Sequence, residues 1–402
     1  MTMLQIVARS LRQHLISTLI CAFSIALAGG LLLTVWVTQK QTKRAFTGLD
    51  GGYDAVLGAR GSKLQLVLNA VFHLEESPGN LKVDDWQEIQ KHPAVAQAIP
   101  LAMGDSFQGQ RIVGTSLEYF EATQSAAGGK LKAAAKGRLF DPTAREAVVG
   151  SLAARKLGLI PGSIIHPMHG LGREGQAHEE EYVVVGVLEP SNTPADRVIW
   201  IPLEGIQFMG GHSAEAEHEL SAVLVKLKAD SPTAGFLLDR QYNREGTKLT
   251  WAWPIGRVMA QLFDKIGWFD LVLRLVAWLV VLVSIASITA GIYNSMEQRR
   301  RDVAILRMLG AGRGFIFTSV TLEASAIAAL GMAGAFAFYG VVLTVIRAAL
   351  QREVGISLEV WTPQSIFIWA PATMIALAAL AGMLPAWNAC RVDVARTLSS
   401  TS

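Results

Sequence analysis

Cysteine is nearly absent from this sequence. Among 402 residues only Cys21 and Cys390 are cysteines, and both lie in long apolar runs. The polar segment from residue 40 to residue 253 contains none, which excludes a disulfide framework there. That segment is long enough to bury a core of its own, and we expect it to depend on that core for stability.

Charge is also absent over four long stretches. The uncharged runs are 16–39, 275–296, 324–346 and 360–390. Each is longer than the roughly 20 residues with which a helix crosses a bilayer. The sequence therefore predicts an α-helical membrane protein with four transmembrane helices and one large segment between the first two.

The first uncharged run has a second interpretation, as a signal peptide. It is longer than the roughly 7–15 residues of a signal peptide's apolar region. It also ends in Thr38, Gln39 and Lys40 rather than at a small-residue cleavage site. We interpret it as a retained span.

Arginine is unevenly distributed around these runs, and its distribution predicts the orientation. The arginines before the first run, between the second and third, and after the fourth are Arg9, Arg12, Arg299, Arg300, Arg301, Arg307, Arg313, Arg391 and Arg396. The positive-inside rule then places both termini and the loop 296–314 in the cytoplasm. Lys40, Lys43 and Arg44 argue the other way, but long translocated domains weaken such a local signal. The net charge of only +3 requires no nucleic-acid partner.

The large outer segment has the pattern of an α+β domain. Strands are predicted at 53–59, 181–190, 197–203 and 220–228, a helix followed by a strand at 83–107, and a strand, helix, turn and strand at 146–166. From Pro254 to Trp268 the apolar residues have helical periodicity and run into the second span. We expect this stretch to be a stalk that extends the span.

An arginine-rich segment, MEQRRRDVAILRMLGAGRGFIF, follows the second uncharged run. On a helix Glu297 would pair with Arg301 at i+4. Arg300 and Arg307 would share one face, with Leu306 on another. One face can then rest on an apolar surface while the arginines meet water, anionic lipid or an acidic groove. The segment is either an interfacial helix or a helix that docks on a partner, and the two interpretations are compatible.

Several stretches carry a more specific pattern. They are ARSLRQHLISTLICAFSIALAGG (8–30), EAVVGSLAARKLGLIPGS (146–163), EYVVVGVL (181–188), MEQRRRDVAILRMLGAGRGFI (296–316), TLEASAIAALGMAGA (321–335) and LPAWNACRVDVARTL (384–398). Together they resemble the MacB/FtsX-like permeases, the membrane subunits of type VII ABC systems, over nearly the whole chain. The resemblance implies a bacterial inner-membrane permease. It assigns ATPase coupling to Glu297, Arg300, Arg301, Asp302, Leu306, Arg307, Gly310 and Ala311.

The resemblance also implies a layout for the chain. The expected regions are a cytoplasmic amphipathic helix (1–14), the first transmembrane helix with its stalk (15–39), a periplasmic MacB-like α+β domain (40–253), a stalk and second transmembrane helix (254–295), a cytoplasmic coupling helix (296–314), the third transmembrane helix (315–346), a short periplasmic loop (347–363), the fourth transmembrane helix (364–388) and a cytoplasmic tail (389–402).

One family feature is missing from the sequence. MacB carries its ATPase on the same chain, but no Gly-x-x-x-x-Gly-Lys-Ser/Thr phosphate loop occurs here. The resemblance therefore implies a separate cytoplasmic ABC ATPase, in two copies, which binds ATP and Mg, while this chain binds no cofactor. It also implies a second copy of the permease or a sister permease, and it allows a periplasmic lipoprotein or adaptor.

Within the predicted spans two features stand out. Glu323 is either a proton or ion site or a structural carboxylate hydrogen-bonded to a neighbouring helix near the inner interface, and we favour the second. The small residues that predict close helix packing, within the subunit or across a dimer, are Gly29, Gly30, Ala378, Gly382 and Ala386.

Histidine is concentrated outside the spans. Only one of eight histidines, His14, lies elsewhere than in the outer segment. His166 and His169 have a spacing that zinc sites use, although Pro167 disfavours a helical pair. Scattered surface histidines are the simpler interpretation. We predict no metal site and retain these two residues as the candidates for one.

The sequence and the resemblance together predict a permease subunit rather than an enzyme. ATP-driven motion of the partner would be transmitted to the outer domain, where the work is done on a lipoprotein, lipid, peptide or partner protein. The uncharged spans argue against a hydrophilic path through the bilayer. Two alternatives stay open: an FtsX-like scaffold that activates a periplasmic cell-wall hydrolase, and the permease of a zinc-linked ABC system that uses the outer histidines.

Overall fold

The computed structural model describes residues 3–48, 50–125, 129–132, 137–170, 177–210, 216–265, 267–298, 305, 307–308, 310–353 and 358–390. The chain divides into two compact units. The helical unit comprises residues 1–40, 267–346 and 359–402, and the sheet unit comprises residues 41–266 and 347–358.

The helical unit is built from one short helix and four long ones among the residues described. These are α1 (Met3–Gln13), α2 (Leu15–Gly48, whose last eight residues belong to the sheet unit), α10 (Gly267–Gln298), α11 (Arg313–Glu353, whose last seven residues belong to the sheet unit) and α12 (Ile366–Cys390). The long helices follow the uncharged runs, because a helix satisfies its backbone hydrogen bonds internally and a bilayer offers it no other partners.

Three of these helices are long and apolar enough to cross a membrane. They are Leu15–Gly48, Arg313–Glu353 and Ile366–Asn388. The second predicted span lies in α10, where the described residues contain a shorter apolar stretch, Leu271–Val283. The first, third and fourth spans thus have matching helices, and the total of four stays a prediction.

The sheet unit contains short helices between its strands. These are α3 (Lys63–Ala70), α4 (Val83–Gln90), α5 (Glu118–Ala122), α6 (Ser151–Leu157), α7 (Leu203–Gln207), α8 (Ala234–Asp239) and α9 (Ile255–Lys265), with 3-10 turns at Pro194–Arg197 and Ala216–His218 and a π-helical turn at Arg240–Glu245. Local chemistry sets several ends. Asp85 accepts a hydrogen bond from the Lys82 amide at the start of α4, and Gly158, with φ +68, ends α6 in the left-handed conformation that glycine adopts most easily.

The strands lie among these helices along the chain. They are β1 (Ala55–Ala59), β2 (Leu81–Lys82), β3 (Val95–Phe107), β4 (Gln110–Thr115), β5 (Glu146–Val149), β6 (Ile164–Ile165), β7 (Met168–His169), β8 (Tyr182–Val187), β9 (Ile199–Pro202), β10 (Glu219–Leu220), β11 (Ala222–Leu227) and β12 (Leu249–Ala252). All the predicted strands are present with shifted ends. Neither β4 nor β12 had a separate signal in the sequence.

Ten of the described strands form one mixed sheet. Its order is β12–β1–β11–β3–β4–β9–β5–β8–β6, with β7 added beside β3. The β4–β9 and β5–β8 pairs are parallel and the others are antiparallel. Strands β2 and β10 form a separate antiparallel pair. The mixed sheet with short helices agrees with the α+β prediction for this segment.

The main core of the sheet unit is aromatic. Trp200 on β9 is fully buried, and its ring lies 4.3 Å from that of Tyr119 and 6.1 Å from that of Phe120, measured between centroids. Phe46, near the end of α2, stacks on Phe72 at 5.0 Å. The outer end of α2 is therefore part of the packing of this core.

A buried histidine borders the same core. The ring of His73 meets the edge of Trp200 with 5.5 Å between centroids, and its backbone has φ +52. Burial, followed by the positive charges of Arg111 and Arg197, lowers the pKa of His73 from 6.5 to about 3. The folded protein therefore holds this imidazole neutral at any ordinary pH.

Acidification is expected to destabilise the sheet unit through His73. The unfolded chain takes up a proton near pH 6.5, whereas the folded chain does not until about pH 3, so stability falls as the pH falls through this window. Between pH 7 and pH 5 the loss amounts to about 2 kcal/mol. His73→Asn, which tolerates the left-handed backbone, removes the titrating group. Unfolding should be compared for both proteins at pH 7 and pH 5. An equal loss in both would contradict the assignment.

Candidate functional site

The arginine-rich segment is described only in part. Arg300, Arg301, Asp302 and Leu306 lie outside the described residues, and Glu297 lies in the last turn of α10. The segment's described residues show how it ends. The Gly310 amide donates to the Arg307 carbonyl at 3.1 Å, Gly310 has φ +95, and α11 begins at Arg313. Gly310 and Ala311 thus form the break between two helical stretches, as expected of a glycine in the left-handed region.

Apolar side chains flank Arg307 in that segment. Ile305 is 40% exposed and Met308 is 60% exposed, while Arg307 itself is half-buried. Arginine and methionine are enriched at protein–protein interfaces, where lysine and glutamate are depleted. The described part of the segment therefore combines a fixed positive charge with an accessible apolar surface, which suits a docking helix.

Glu323 has a defined partner in the helical unit. The Ser10 hydroxyl on α1 donates to the Glu323 carboxylate on α11, and both residues are almost fully buried. Their separation of 313 positions hid this contact from sequence reasoning. The contact is the arrangement expected of a structural carboxylate, because it ties the amphipathic N-terminal helix to the third predicted span.

Glycines allow α2 and α11 to approach closely. A Cβ atom on Gly29 would lie 2.8 Å from the Met332 sulfur, and one on Gly30 would lie 2.5 Å from the Phe338 ring. In the other direction, a Cβ on Gly331 would lie 2.6 Å from that of Ile25. In a bilayer the hydrophobic effect does not drive helices together. Small residues promote their association because they allow close van der Waals contact between the helices. The predicted role of Gly29 and Gly30 in packing therefore corresponds to a contact within the chain.

The small residues of the fourth predicted span, Ala378, Gly382 and Ala386, also pack inside the chain. A Cβ atom on Gly382 would lie 2.7 Å from the Ala324 Cβ on α11, and Ala378 and Ala386 are fully buried. The structure thus places Gly382 against the third predicted span, the first of the two alternatives that its spacing left open.

Sequence reasoning missed the matching stripe on the third span. Ala324, Ala328, Gly331 and Ala335 follow one another at intervals of four, three and four residues, and the three alanines are fully buried. This spacing keeps them on one helix face. The spacing of these residues was visible in the sequence. In the structure the stripe contacts α2 at Gly331 and α12 at Ala324.

The end of α2 that lies in the sheet unit packs against α9, and these two helical segments form the stalks. A Cβ atom on Gly256, in α9, would lie 2.7 Å from the Thr47 carbonyl oxygen of α2. Phe46 meets Phe263 at 5.8 Å, and Lys43 lies 3.4 Å from Asp264. The ion pair is exposed and contributes little, so the glycine and the aromatic pair hold the two helices together.

The two candidate metal ligands are not brought together as a pair. His166 Nε2 lies 3.8 Å from Glu181 Oε1. His169 instead joins Asp105 and His178, two residues that sequence reasoning did not select. The described part of the outer segment thus contains one group of three potential metal ligands, and His166 is not a member.

Comparison with known proteins agrees with this architecture. The family model of the MacB-like periplasmic core domain matches residues 15–236, and that of the FtsX-like permease C-terminal region matches residues 274–394. No curated protein matches the chain.

Two solved structures are similar over the outer segment. The periplasmic region of MacB from Actinobacillus actinomycetemcomitans is 14% identical, with a TM-score of 0.35, over 53% of this chain and 94% of that one. The extracellular domain of the noncanonic ABC-type transporter YknZ from Gram-positive bacteria is 19% identical, with a TM-score of 0.31, over 50% of this chain and 98% of that one.

The family models together cover both halves of the architecture. One matches more than half of the chain, including every strand of the mixed sheet except β12, and the other matches the region of the later long helices. The chain therefore belongs to the MacB/FtsX-like ABC transporter permeases, as a membrane subunit with a large MacB-like periplasmic domain.

Proposed function

We propose that this chain is the mechanotransmitting permease of an ABC system, driven by a separate ATPase. Permeases of this family generally work with ABC ATPases. In the proposed assembly two copies of the chain, or this chain and a sister permease, bind two cytoplasmic ATPase subunits that hold ATP and Mg. The assembly lies in the bacterial inner membrane with both termini of the chain in the cytoplasm.

The observation that carries the proposal is the packing of the stalk helices. Helix α2 continues without a break from Leu15 to Gly48, and its last turns pack on the aromatic core through Phe46 and on α9 through Thr47. A helix hydrogen-bonded along its whole length transmits displacement better than a flexible linker. Motion of its cytoplasmic half would therefore reach the core of the periplasmic domain.

The ATPase would act on the chain at the coupling segment, residues 296–314. Arg307, with the exposed Ile305 and Met308 beside it, supplies charge and apolar surface for a groove on the ATPase. The contact of Ser10 with Glu323 links α1 to α11 and gives a second cytoplasmic element a fixed place in the same helical unit. The work would be done outside the membrane, on a lipoprotein, lipid, peptide or partner protein.

Exchanging charge at the coupling segment is expected to abolish ATPase association. In Arg300→Glu/Arg307→Glu the two positive charges predicted to share a helix face become negative, so an acidic groove that attracted them now repels them. The measurement is recovery of a Walker-motif ATPase with the detergent-solubilised chain, together with the amount of chain in the membrane. We expect the ATPase to be lost and membrane insertion to be unchanged.

The matched control is Arg352→Glu, an exposed arginine at the far end of α11. It should retain the ATPase, because it lies in the loop predicted to be periplasmic. Undiminished recovery of the ATPase with the double variant would rule out this docking surface. Nucleotide-dependent hydrogen exchange at residues 43–48 and 255–265 of the intact assembly provides the second readout. Hydrogen exchange that is the same with and without nucleotide at these residues would contradict transmission through the stalks.

A further inference from the structure

Three side chains of the metal-ligating type meet in the periplasmic domain. They are Asp105, His169 and His178, and their ligand atoms all lie within 4.8 Å of one another. Asp105 Oδ1 lies 3.4 Å from His169 Nδ1 and 3.3 Å from His178 Nε2. Both imidazoles therefore converge on one carboxylate oxygen.

The backbone fixes this convergence. Asp105 on β3 is directly opposite His169 on β7 in an antiparallel ladder, so the two side chains share a face of the sheet. The His178 amide donates to the Pro167 carbonyl at 2.9 Å, and its neighbour Ala177 bridges to Met168. The third ligand is thus carried by a segment that lies alongside β7.

The second contact of His178 decides which of its ring nitrogens carries a hydrogen in the neutral imidazole. Its Nδ1 atom lies 2.7 Å from the Gly210 carbonyl oxygen, which can only accept, so Nδ1 carries a hydrogen. In the neutral imidazole Nε2 then presents a lone pair, and it faces the Asp105 carboxylate oxygen at 3.3 Å. Two acceptors at this distance repel unless a proton or a cation lies between them.

The distances favour a cation. Zinc holds nitrogen and oxygen ligands at about 2.0–2.1 Å in a tetrahedron, which sets neighbouring ligand atoms about 3.3–3.4 Å apart. The two separations measured from Asp105 Oδ1 are 3.3 and 3.4 Å. A ring N–H donated to a backbone carbonyl, as His178 donates to Gly210, is the usual outer partner of a metal-bound histidine.

The burial of the three residues adds a functional feature. The side chains of Asp105 and His178 are 0% and 7% exposed, whereas that of His169 is 64% exposed. The cluster is therefore held rigidly on one side and is open to water on the other. Three protein ligands with one accessible position are typical of sites at which the metal meets a further ligand.

We infer that Asp105, His169 and His178 form a zinc site with an open coordination position. The site belongs to the periplasmic domain and does not depend on ATPase coupling. It gives the zinc-linked alternative a specific location, because an open site can receive zinc from, or pass it to, a partner on the periplasmic side.

Zinc binding by the full-length chain in detergent tests the site. The protein is stripped with a chelator and then titrated with zinc alone, in competition with a chromophoric chelator, and the bound metal is counted by mass spectrometry. One tightly bound zinc per chain is expected. His169→Ala should weaken binding by at least about 100-fold, because even the loss of an outer partner typically costs 10–100-fold.

The controls separate loss of a ligand from misfolding. His169 is mostly exposed, so its removal leaves the core intact, and Asp105→Asn keeps the shape of the buried carboxylate while removing its charge. His166→Ala is the matched control, because that side chain is 50% exposed, lies three positions away and is not in the cluster. It should bind zinc as the unmodified chain does.

Two results would overturn the proposal. One is that the unmodified chain holds no more zinc than His169→Ala, in which case a protonated His178 pairs with Asp105 without a metal. The other is that His166→Ala weakens binding as much as His169→Ala, which would indicate loose binding by surface histidines.

Discussion

Replacing Gly331 with leucine is expected to remove most of the correctly folded protein from the membrane. A Cβ atom at this position would already lie 2.6 Å from the Ile25 Cβ and 2.9 Å from the Ala22 carbonyl oxygen on α2. The obstructing atoms include backbone, which cannot move aside as a flexible side chain does. Overpacking in a soluble core costs about 1–3 kcal/mol. Leucine adds three further carbons where even one does not fit, so we expect a cost above that range.

The measurement is the yield of monodisperse protein after detergent extraction, together with its apparent melting temperature. Gly314→Leu serves as the control, because Gly314 lies in the same helix and a Cβ there would meet nothing within 4 Å. It should extract and melt as the unmodified chain does. Normal yield and melting of Gly331→Leu would show that α2 and α11 do not pack at Gly331.

Trp200→Ala is expected to destabilise the periplasmic domain by about 3–5 kcal/mol, the usual cost of removing a buried aromatic side chain. Trp200 is fully buried and contacts the rings of Tyr119, Phe120 and His73. Its indole nitrogen also donates to the Ala195 carbonyl at 3.4 Å. The neighbouring rings would line a large cavity, and the Ala195 carbonyl would keep only the Val198 amide as a donor.

Hydrogen exchange of the full chain measures this effect at the strands themselves. Protection of β4, β5 and β9 should fall together, because these strands pack on the same core. Phe208→Ala is the matched aromatic deletion at the surface, since Phe208 is 60% exposed, and it should cost less than about 0.5 kcal/mol. Equal protection in both variants would show that Trp200 is not central to this core.

The membrane part of the fold was largely predictable. Uncharged runs longer than a bilayer predicted the long helices, because such runs depend on composition along the chain rather than on distant contacts. The orientation that follows from the arginine distribution stays a prediction. Period-two and β-branched patterns likewise predicted the strands now seen as β8, β9 and β11. These patterns did not predict β4. Its polar residues Gln110, Arg111 and Thr115 produce no clear alternation of apolar and polar positions, although every residue of the strand is buried.

The candidate sites were predictable only in part. Gly29, Gly30 and Gly382 were selected because small residues on a span usually mark a helix contact. Their partners, among them Met332, Phe338 and Ala324, were not, since composition does not specify which helix faces which. For Glu323 the sequence indicated an expensive charge that needs a partner, but Ser10 emerged only from the packing of α1 on α11.

The periplasmic histidines show most clearly what the sequence determined and what the tertiary structure decided. By itself the sequence determined that histidines are concentrated outside the spans and that His166 and His169 have a spacing that metal sites use. Only the tertiary structure decided that His169 is joined by Asp105 and His178. The reason is physical: the register of an antiparallel ladder sets Asp105 opposite His169 across 64 positions of chain, and local periodicity does not encode that register. The sequence thus determined the long helices, most of the longer strands and the classes of chemistry available, while the pairing of strands and helices decided which residues meet.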